Sequence, residues 1–597
     1  MKKKKVVSLL LAAVCSLTGL SGCGTGGETA QSDHEPITIQ SPFRNMSTFL
    51  DVLHEKYPEI NLEVLPYSGK NYTAYMKDQL ASGDIPDIYC TSIYTPGVGD
   101  ADKKLIDLSG YAFTDNYTEA RLRDVTDNGA IYLLPMYYDC IGITYNKTIL
   151  EENNWELPNS LKELEELAPK VKAAGYNLCL DQLQLPGYGF QYLCNIMDTA
   201  YLNTPDGRKW QQDYLDGKAN IADTPELAEE LKLLEKWRDI GMLNGNGNPD
   251  DDDDTHDMMA EGNTLFMLGN INAFTADETT DEFGLMPYLS EDGTQNAFIL
   301  NVSRYIGLNK NLEQEGNEQK LEDALHVMEV LSTVEGMQSL KSTDTSNTSL
   351  LPLKDYKINP DGYYADIEDE LNSGATAPFI YTGWENVIVP IGESVISFIK
   401  GERSLDAVIK DFDDAQHLLK DNSETVYTTV TEKIDTEDCA RLIGICFAEA
   451  VDADLALISV NKWYKLDRDD ALNTDGVSGA LFPLPVTDQE ITSILPTGWS
   501  DNIKTVTLTG SQVKKLAKNG YDRYNGGETF PYVLVAPEGK ELYDDSTYTV
   551  VICGVTNEVA AGGKLTDTGV LGLEAAQKYF GSFDTLSPDK IIWEYER

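Results

Sequence analysis

From Ile37 onward the chain alternates between two hydrophobic periods. ITIQ (Ile37–Gln40) and INLEVLPY (Ile60–Tyr67) are short β-rich runs, and between them STFLDVLHEKYP (Ser47–Pro58) carries apolar residues at helical spacing. The same three- and four-residue spacing predicts helices in LKELEELAPKVKAAG (Leu161–Gly175), TPELAEELKLLEKWRDIGM (Thr224–Met242) and SLDAVIKDFDDAQHLLKD (Ser404–Asp421). Strands alternating with amphipathic helices argue for α/β layers. After NSETVYTTVTEK (Asn422–Lys433) the texture changes. A helix, TEDCARLIGICFAEAV (Thr436–Val451), precedes the strand-like runs ADLALISV (Ala453–Val460), IKTVTLTG (Ile503–Gly510) and YTVVICGV (Tyr548–Val555), separated by loops rich in Gly and Asp. At 597 residues the chain is too long for one core, and a boundary is expected at 420–430.

Composition narrows the class. With 47 basic and 98 acidic side chains the net charge is −51, a surface that repels nucleic acid and anionic lipid headgroups. The cysteines are scattered without a CxxC pair, so small buried thiols are expected rather than a disulfide framework or a zinc site. At the N-terminus, MKKKK precedes an apolar run, VVSLLLAAVCSLTGL, shorter than the roughly 20 residues that span a bilayer. It ends in Leu20-Ser21-Gly22-Cys23, which resembles the lipobox of bacterial lipoproteins. That resemblance implies a signal peptide over 1–22, cleavage before Cys23, lipidation of Cys23 and a tether over 23–35. Acyl chains would then hold the protein at the outer face of the cell membrane.

Several segments carry a wider resemblance: the opening strand–helix–strand over 37–67, Ala81-Ser82-Gly83-Asp84-Ile85-Pro86-Asp87-Ile88, LPMYYDCIGITYNKTILEENNWELPNSLKEL (Leu134–Leu164), MMAEGNTLFMLGN (Met258–Asn270) and ALHVMEVLSTVEGM (Ala324–Met337). In this order they resemble the extracellular solute-binding proteins of ABC importers, above all the class serving sugar permeases. The resemblance implies a two-lobed periplasmic-binding-protein-like (type II) α/β fold over 36–422. It also implies a ligand cleft between the lobes, closure by a hinge and handover to permease subunits. No cofactor is expected, and a monomer is.

Open α/β sheets bind ligands at the carboxyl ends of their strands, which directs attention to Tyr89-Cys90-Thr91-Ser92. LPMYYD approaches the expected first crossing between lobes, and ITYN (Ile143–Asn146) reads as the crossing strand. Sugars offer flat C–H faces to aromatic rings and hydroxyls to carboxylates, amides and arginine. The candidate ligand residues are Phe43, Tyr89, Thr91, Tyr137, Asp139, Tyr188, Asn270, Arg304 and Trp384. Tyr137 and Asp139, two apart on a strand, are expected on one face, with Tyr138 packing behind. The adjacent pair Tyr137-Tyr138 leaves ferric iron as a competing reading, since tyrosinate and carboxylate oxygens suit Fe³⁺. NGNGNPDDDDDTHD (Asn244–Asp257) lacks the spacing of a calcium loop and reads as a solvated acidic segment.

Residues 425–597 resemble the C-terminal domain of bacterial 5′-nucleotidases, a smaller α+β domain. The match lies in ADLALISVN (Ala453–Asn461), EITSILP (Glu490–Pro496), IKTVTLTGSQVKKL (Ile503–Leu516) and YTVVICGVTNEVAAGGK (Tyr548–Lys564). Where that family has GGIR, this chain has Ser459-Val460-Asn461-Lys462-Trp463. Its five histidines, His34, His54, His256, His326 and His417, lie in none of the family's metal motifs. A catalytic phosphoesterase centre is therefore not expected; a degenerate or active nucleotidase, or a nucleoside scavenger, is the alternative reading.

Overall fold

The computed structural model describes residues 34–591 apart from 42–45, 68, 93–100, 127, 184, 246–251, 270–278, 342–349, 359–363, 374, 382, 421–424, 461–475, 520, 523–528, 531, 538–539 and 554–563. The first lobe grows from β1 (Ile37–Ser41), β2 (Leu62–Pro66) and β3 (Ile88–Thr91), with β1 pairing parallel to both neighbours. Parallel pairing needs a crossover helix, and the helix Ser47–Lys56 supplies it, burying Phe49 and Leu53. The helix Tyr72–Ser82 forms the next crossover. Asn71 caps its start by accepting from the Ala74 N–H, and Gly83 ends it at φ 79°, a left-handed conformation that a side chain would strain. Asp87 then locks the strand ends together, accepting from both the N–H and the hydroxyl of Thr38.

Two long strands leave this lobe. β4 (Leu134–Ile141) runs antiparallel to β9 (Phe298–Leu308), with a register irregularity around Tyr137 and Tyr138. On its other edge β9 pairs with β3 over residues 305–308 and with β10 (Thr376–Pro378) over residues 298–300. The second lobe holds the sheet β6-β7-β5-β8, built from β5 (Ile143–Asn146), β6 (Asn177–Leu180), β7 (Thr264–Leu268) and β8 (Phe283–Met286). The lobe crossing is thus β4 against β9, and ITYN lies wholly within the second lobe's sheet. Gly142 joins β4 to β5 where a Cβ would stand 2.5 Å from the Met286 carbonyl oxygen, so only glycine passes there.

Each lobe has its own core. One gathers around Ile37, Phe49, Leu134 and Leu308; the other around Ile143, Phe190, Trp237 and Ile391. The helix predicted over 224–242 is two, Pro225–Glu230 and Lys232–Ile240, broken at Leu231.

Residues 428–591 build cores of their own, apart from Phe482 and Leu484, which pack with Tyr67 and Tyr75 of the first lobe. β11 (Thr428–Val430), β13 (Pro485–Val486) and β20 (Thr585–Leu586) form a small sheet. β12 (Leu455–Ser459), β14 (Asn502–Thr509), β17 (Tyr532–Val535), β18 (Thr547–Cys553) and β19 (Thr566–Leu571) form the order β17-β12-β18-β14-β19. The short β15 (Tyr521–Asp522) and β16 (Thr529–Phe530) pair with each other. The helix Thr436–Ala450 packs on one face of the five-stranded sheet, and Val513 and Leu516 of the helix Gly510–Asn519 pack on the other.

Candidate functional site

The centre of β9 differs from its ends. Phe298 to Leu300 are buried in or beside the second lobe and Ile306 to Leu308 in the first, whereas Asn301, Val302, Ser303, Arg304 and Tyr305 are half-buried. The reason lies in the pairing. β10 ends opposite Leu300 and β3 ends opposite Tyr305, so residues 301–304 have a strand partner on the β4 side only, among the described residues. A polar stretch, Asn-Val-Ser-Arg, therefore crosses between two apolar cores with one edge uncovered by any strand among the described residues.

Around this stretch the first lobe supplies a wall. The Arg304 guanidinium stands 5.2 Å from the centre of the Tyr72 ring. Its Nη1 donates to the Ser303 carbonyl at 2.5 Å, while its Nε is buried with no hydrogen-bond partner among the described residues. Tyr72 donates to the Cys90 carbonyl at 2.8 Å, and Thr73 bonds Ser92 at 2.9 Å. Burial pushes the Tyr72 phenol well above its ordinary pKa, with Arg304 acting in the opposite sense, and pushes the Cys90 thiol up to about 11. Both groups are neutral near pH 7. The wall is therefore polar, and Arg304 gives it a permanent charge.

The nine candidate residues separate. Arg304 lies in the uncovered stretch. Thr91, buried, sits opposite Tyr305 at the end of β3. Asp139 is half-buried on β4 opposite Asn301, and Tyr188 is half-buried in the helix Pro186–Asp198 with its ring 6.0 Å from Tyr192. Phe43 and Asn270 lie outside the described residues.

Three expectations are corrected. Tyr89 is 1% exposed and donates to the Met76 carbonyl at 2.6 Å, so it holds the helix Tyr72–Ser82 to the sheet rather than facing a cleft. Trp384 is 4% exposed and stacks on Tyr214 at 4.9 Å in a cluster with Phe190 and Phe412. The TGWEN turn carries its ring inward, into the second lobe's core. Tyr137 is 5% exposed and packs with Leu134 and Met136, whereas strict alternation would put it with Leu133 on the other face. The irregularity in β4 moves it.

Tyr138 goes elsewhere. It packs beside Cys140 and Leu350 with Arg121 5.4 Å from its ring centre, and burial pushes its phenol up to about 12. The two tyrosines thus enter different clusters and do not converge on one ion. Among the described residues no group of three or more His, Cys, Asp and Glu is placed to hold a metal. The seven cysteines from Cys90 to Cys553 are buried and form no disulfide among the described residues. Of the acidic segment after Asn244, residues 246–251 lie outside the described residues, and Asp252–Ala260 is a helix rather than a loop.

Sequence reasoning missed Tyr72 and Arg121. Tyr72 was detectable, because it opens a helix directly after a strand end. Arg121 carried no signal, since its partner Thr376 lies 255 residues along the chain. Yet Arg121 is buried, pairs with Asp124 at 3.0 Å and donates to Thr376 on β10 at 3.2 Å, tying the first lobe to the strand that enters the second.

Known proteins share this architecture. Residues 50–318 match the family described as bacterial extracellular solute-binding protein. The maltodextrin-binding protein MdxE of Bacillus subtilis (strain 168) is 21% identical over 281 residues, which is 45% of this chain and 63% of that relative, so the chain spans less than two thirds of the relative's length. A family 1 extracellular solute-binding protein from Bifidobacterium longum subsp. infantis superposes with a TM-score of 0.51 at 17% identity, covering 64% of this chain and 99% of that one. The apo form of RafE from Streptococcus pneumoniae gives 0.53 at 16% identity, covering 64% and 98%. These relatives are binding proteins rather than enzymes. No helix among the described residues is long and apolar enough to cross a membrane. The two lobes and their β4–β9 crossing have the fold of an extracellular solute-binding protein.

Proposed function

We propose that the protein captures a carbohydrate or oligosaccharide between the two lobes and hands it to the permease of an ABC importer, with its N-terminal Cys23 lipid-anchored outside the cell. One observation carries the reading: the uncovered polar stretch Asn301–Arg304 between two closed cores. A hydroxylated ligand there would meet the half-buried Arg304 side chain, whose guanidinium donates to hydroxyl oxygens. Asp139 opposite Asn301 supplies a half-buried acceptor. The similarity to a maltodextrin-binding protein supports the same ligand class.

In this reading residues 36–422 are the solute-binding domain, and residues 425–597 are a non-catalytic accessory domain resembling the 5′-nucleotidase C-terminal domain. Calorimetry of residues 24–597 against maltodextrins, raffinose and xylo-oligosaccharides tests it. At least one series should bind. Asp139→Ala should then lose about tenfold or more in affinity, as expected when a charge-assisted hydrogen bond of roughly 1.5–3 kcal/mol is removed. Absence of sugar binding, with phosphate released from AMP in the presence of divalent metal, would overturn the proposal in favour of nucleotide chemistry.

A further inference from the structure

The second domain grips one end of the first lobe. Tyr67, just past β2, donates to the Ser493 carbonyl at 2.7 Å in a buried contact. Asn71 donates to Gln489 at 2.7 Å and to Thr492 at 3.2 Å. The Tyr75 ring lies 5.5 Å from that of Phe482, and Gly479, at φ 78°, approaches so closely that a Cβ would stand 2.5 Å from the Tyr75 ring. Lys433 pairs with Asp84 at the far end of the same helix. Side-chain, ring and backbone contacts together make this a fixed joint rather than a tether.

The joint sits where the helix Tyr72–Ser82 begins, and that end belongs to the candidate cleft. The helix Asp488–Ile494 of the second domain ends there, and the chain turns through Leu495–Ser500. Gly498 donates its N–H to the Leu495 carbonyl at 3.1 Å, and a Cβ on it would be 3.2 Å from Cγ of Lys70. Residues 491–498 are all buried, yet the next residue, Trp499, is 47% exposed. Lys70 precedes Asn71 and Tyr72, and Tyr72 lies under the Arg304 guanidinium. Neighbours thus run from Gly498, the residue before Trp499, through Lys70 and Tyr72 to the half-buried stretch of β9.

An indole held half in water directly after the buried run 491–498 is a flat, low-entropy apolar surface with one hydrogen-bond donor. That is the chemistry that stacks against a sugar ring. We propose that Trp499 is a carbohydrate-stacking platform at the cleft mouth, so that an oligosaccharide too long for the cleft continues onto the second domain. The inference rests on the sugar-binding reading above. It gives the accessory domain a role in selecting chain length.

The test compares short and long members of the first series that the wild-type protein binds, taken in turn from maltose to maltoheptaose, raffinose to stachyose, and xylobiose to xylohexaose. Trp499→Ala should weaken the longest member about tenfold, a stacking contribution of the usual size, and leave the shortest unchanged. Trp499→Phe should keep most of the long-chain affinity. Tyr543→Ala removes another exposed ring, one whose contacts lie within the second domain, and should change neither. Equal affinity of the Trp499→Ala protein for long and short chains, at wild-type values, overturns the platform while leaving the cleft reading intact. An equal loss for both lengths overturns it as well, because the effect would then be structural. If no series binds wild-type protein, the cleft reading falls and the platform falls with it.

Discussion

Replacing Trp384 by alanine separates two roles that this ring could play, because core and ligand roles predict opposite pairs of results. The ring stacks on Tyr214 at 4.9 Å with planes 6° apart, and it meets Phe190 at 5.8 Å and Phe412 at 6.0 Å. Tyr214 is itself fixed, donating to the Phe412 carbonyl at 2.6 Å. Truncation therefore opens a cavity walled by three aromatic rings that cannot all collapse into it. Such changes cost about 3–5 kcal/mol. In a lobe of this size, each kcal/mol lowers the melting midpoint by roughly 2–4 °C, so a fall on the order of 10 °C is expected. Differential scanning calorimetry reads the midpoint, and sugar titration well below it reads affinity. The expected pair is a large thermal loss with an affinity within about threefold of wild type, and Trp384→Phe should recover much of the stability. Loss of binding with an unchanged midpoint would refute the core assignment and return Trp384 to the cleft.

Three further outcomes follow from other contacts. Tyr67→Phe leaves the Ser493 carbonyl without its buried donor, an omission costing about 1–3 kcal/mol; hydrogen exchange should quicken across 488–499 and not in the second lobe. Arg121→Ala removes the bond to Thr376 and the ion pair with Asp124. X-ray scattering should then show a broader spread of lobe separations, and an unchanged profile would assign Arg121 to local packing alone. Asp198 is buried, one carboxylate oxygen has no partner among the described residues, and burial raises its pKa well above the ordinary range, with Arg208 opposing. A raised folded-state pKa contributes stability below the unfolded value of about 4 and loses it as pH rises through the folded value. Asp198→Asn should therefore raise the melting midpoint at pH 8 and bring less gain at pH 4; a midpoint lowered at pH 8 would contradict this.

Period alone located many elements. ITIQ, INLEVLPY and ADLALISV became strands, and SLDAVIKDFDDAQHLLKD a helix over Leu405–Lys420, because each segment's apolar face is set by local spacing and each core needs such a face. The candidate site was less legible. Alternation predicted Tyr137 and Asp139 on one face, but an irregularity in β4 intervened, and such an irregularity depends on the strand that β4 meets far along the chain. Trp384 read as a loop tryptophan because its partners, Tyr214 and Phe412, are distant in sequence. Arg121 drew no attention because its partner Thr376 is 255 residues away.

The sequence by itself determined many of the helices and strands, the alternation that makes the chain α/β, and the change of texture near 420–430. Only the tertiary structure decided which polar residues lie between the lobes. That choice rests on where β3 and β10 stop along β9, a matter of pairing between strands hundreds of residues apart. It also decided that the second domain is fixed against the first lobe, since the packing of Tyr67 and Asn71 against Ser493 and Gln489 has no local signature. Local periodicity records which way a residue faces within its own element; it cannot record what that face will meet.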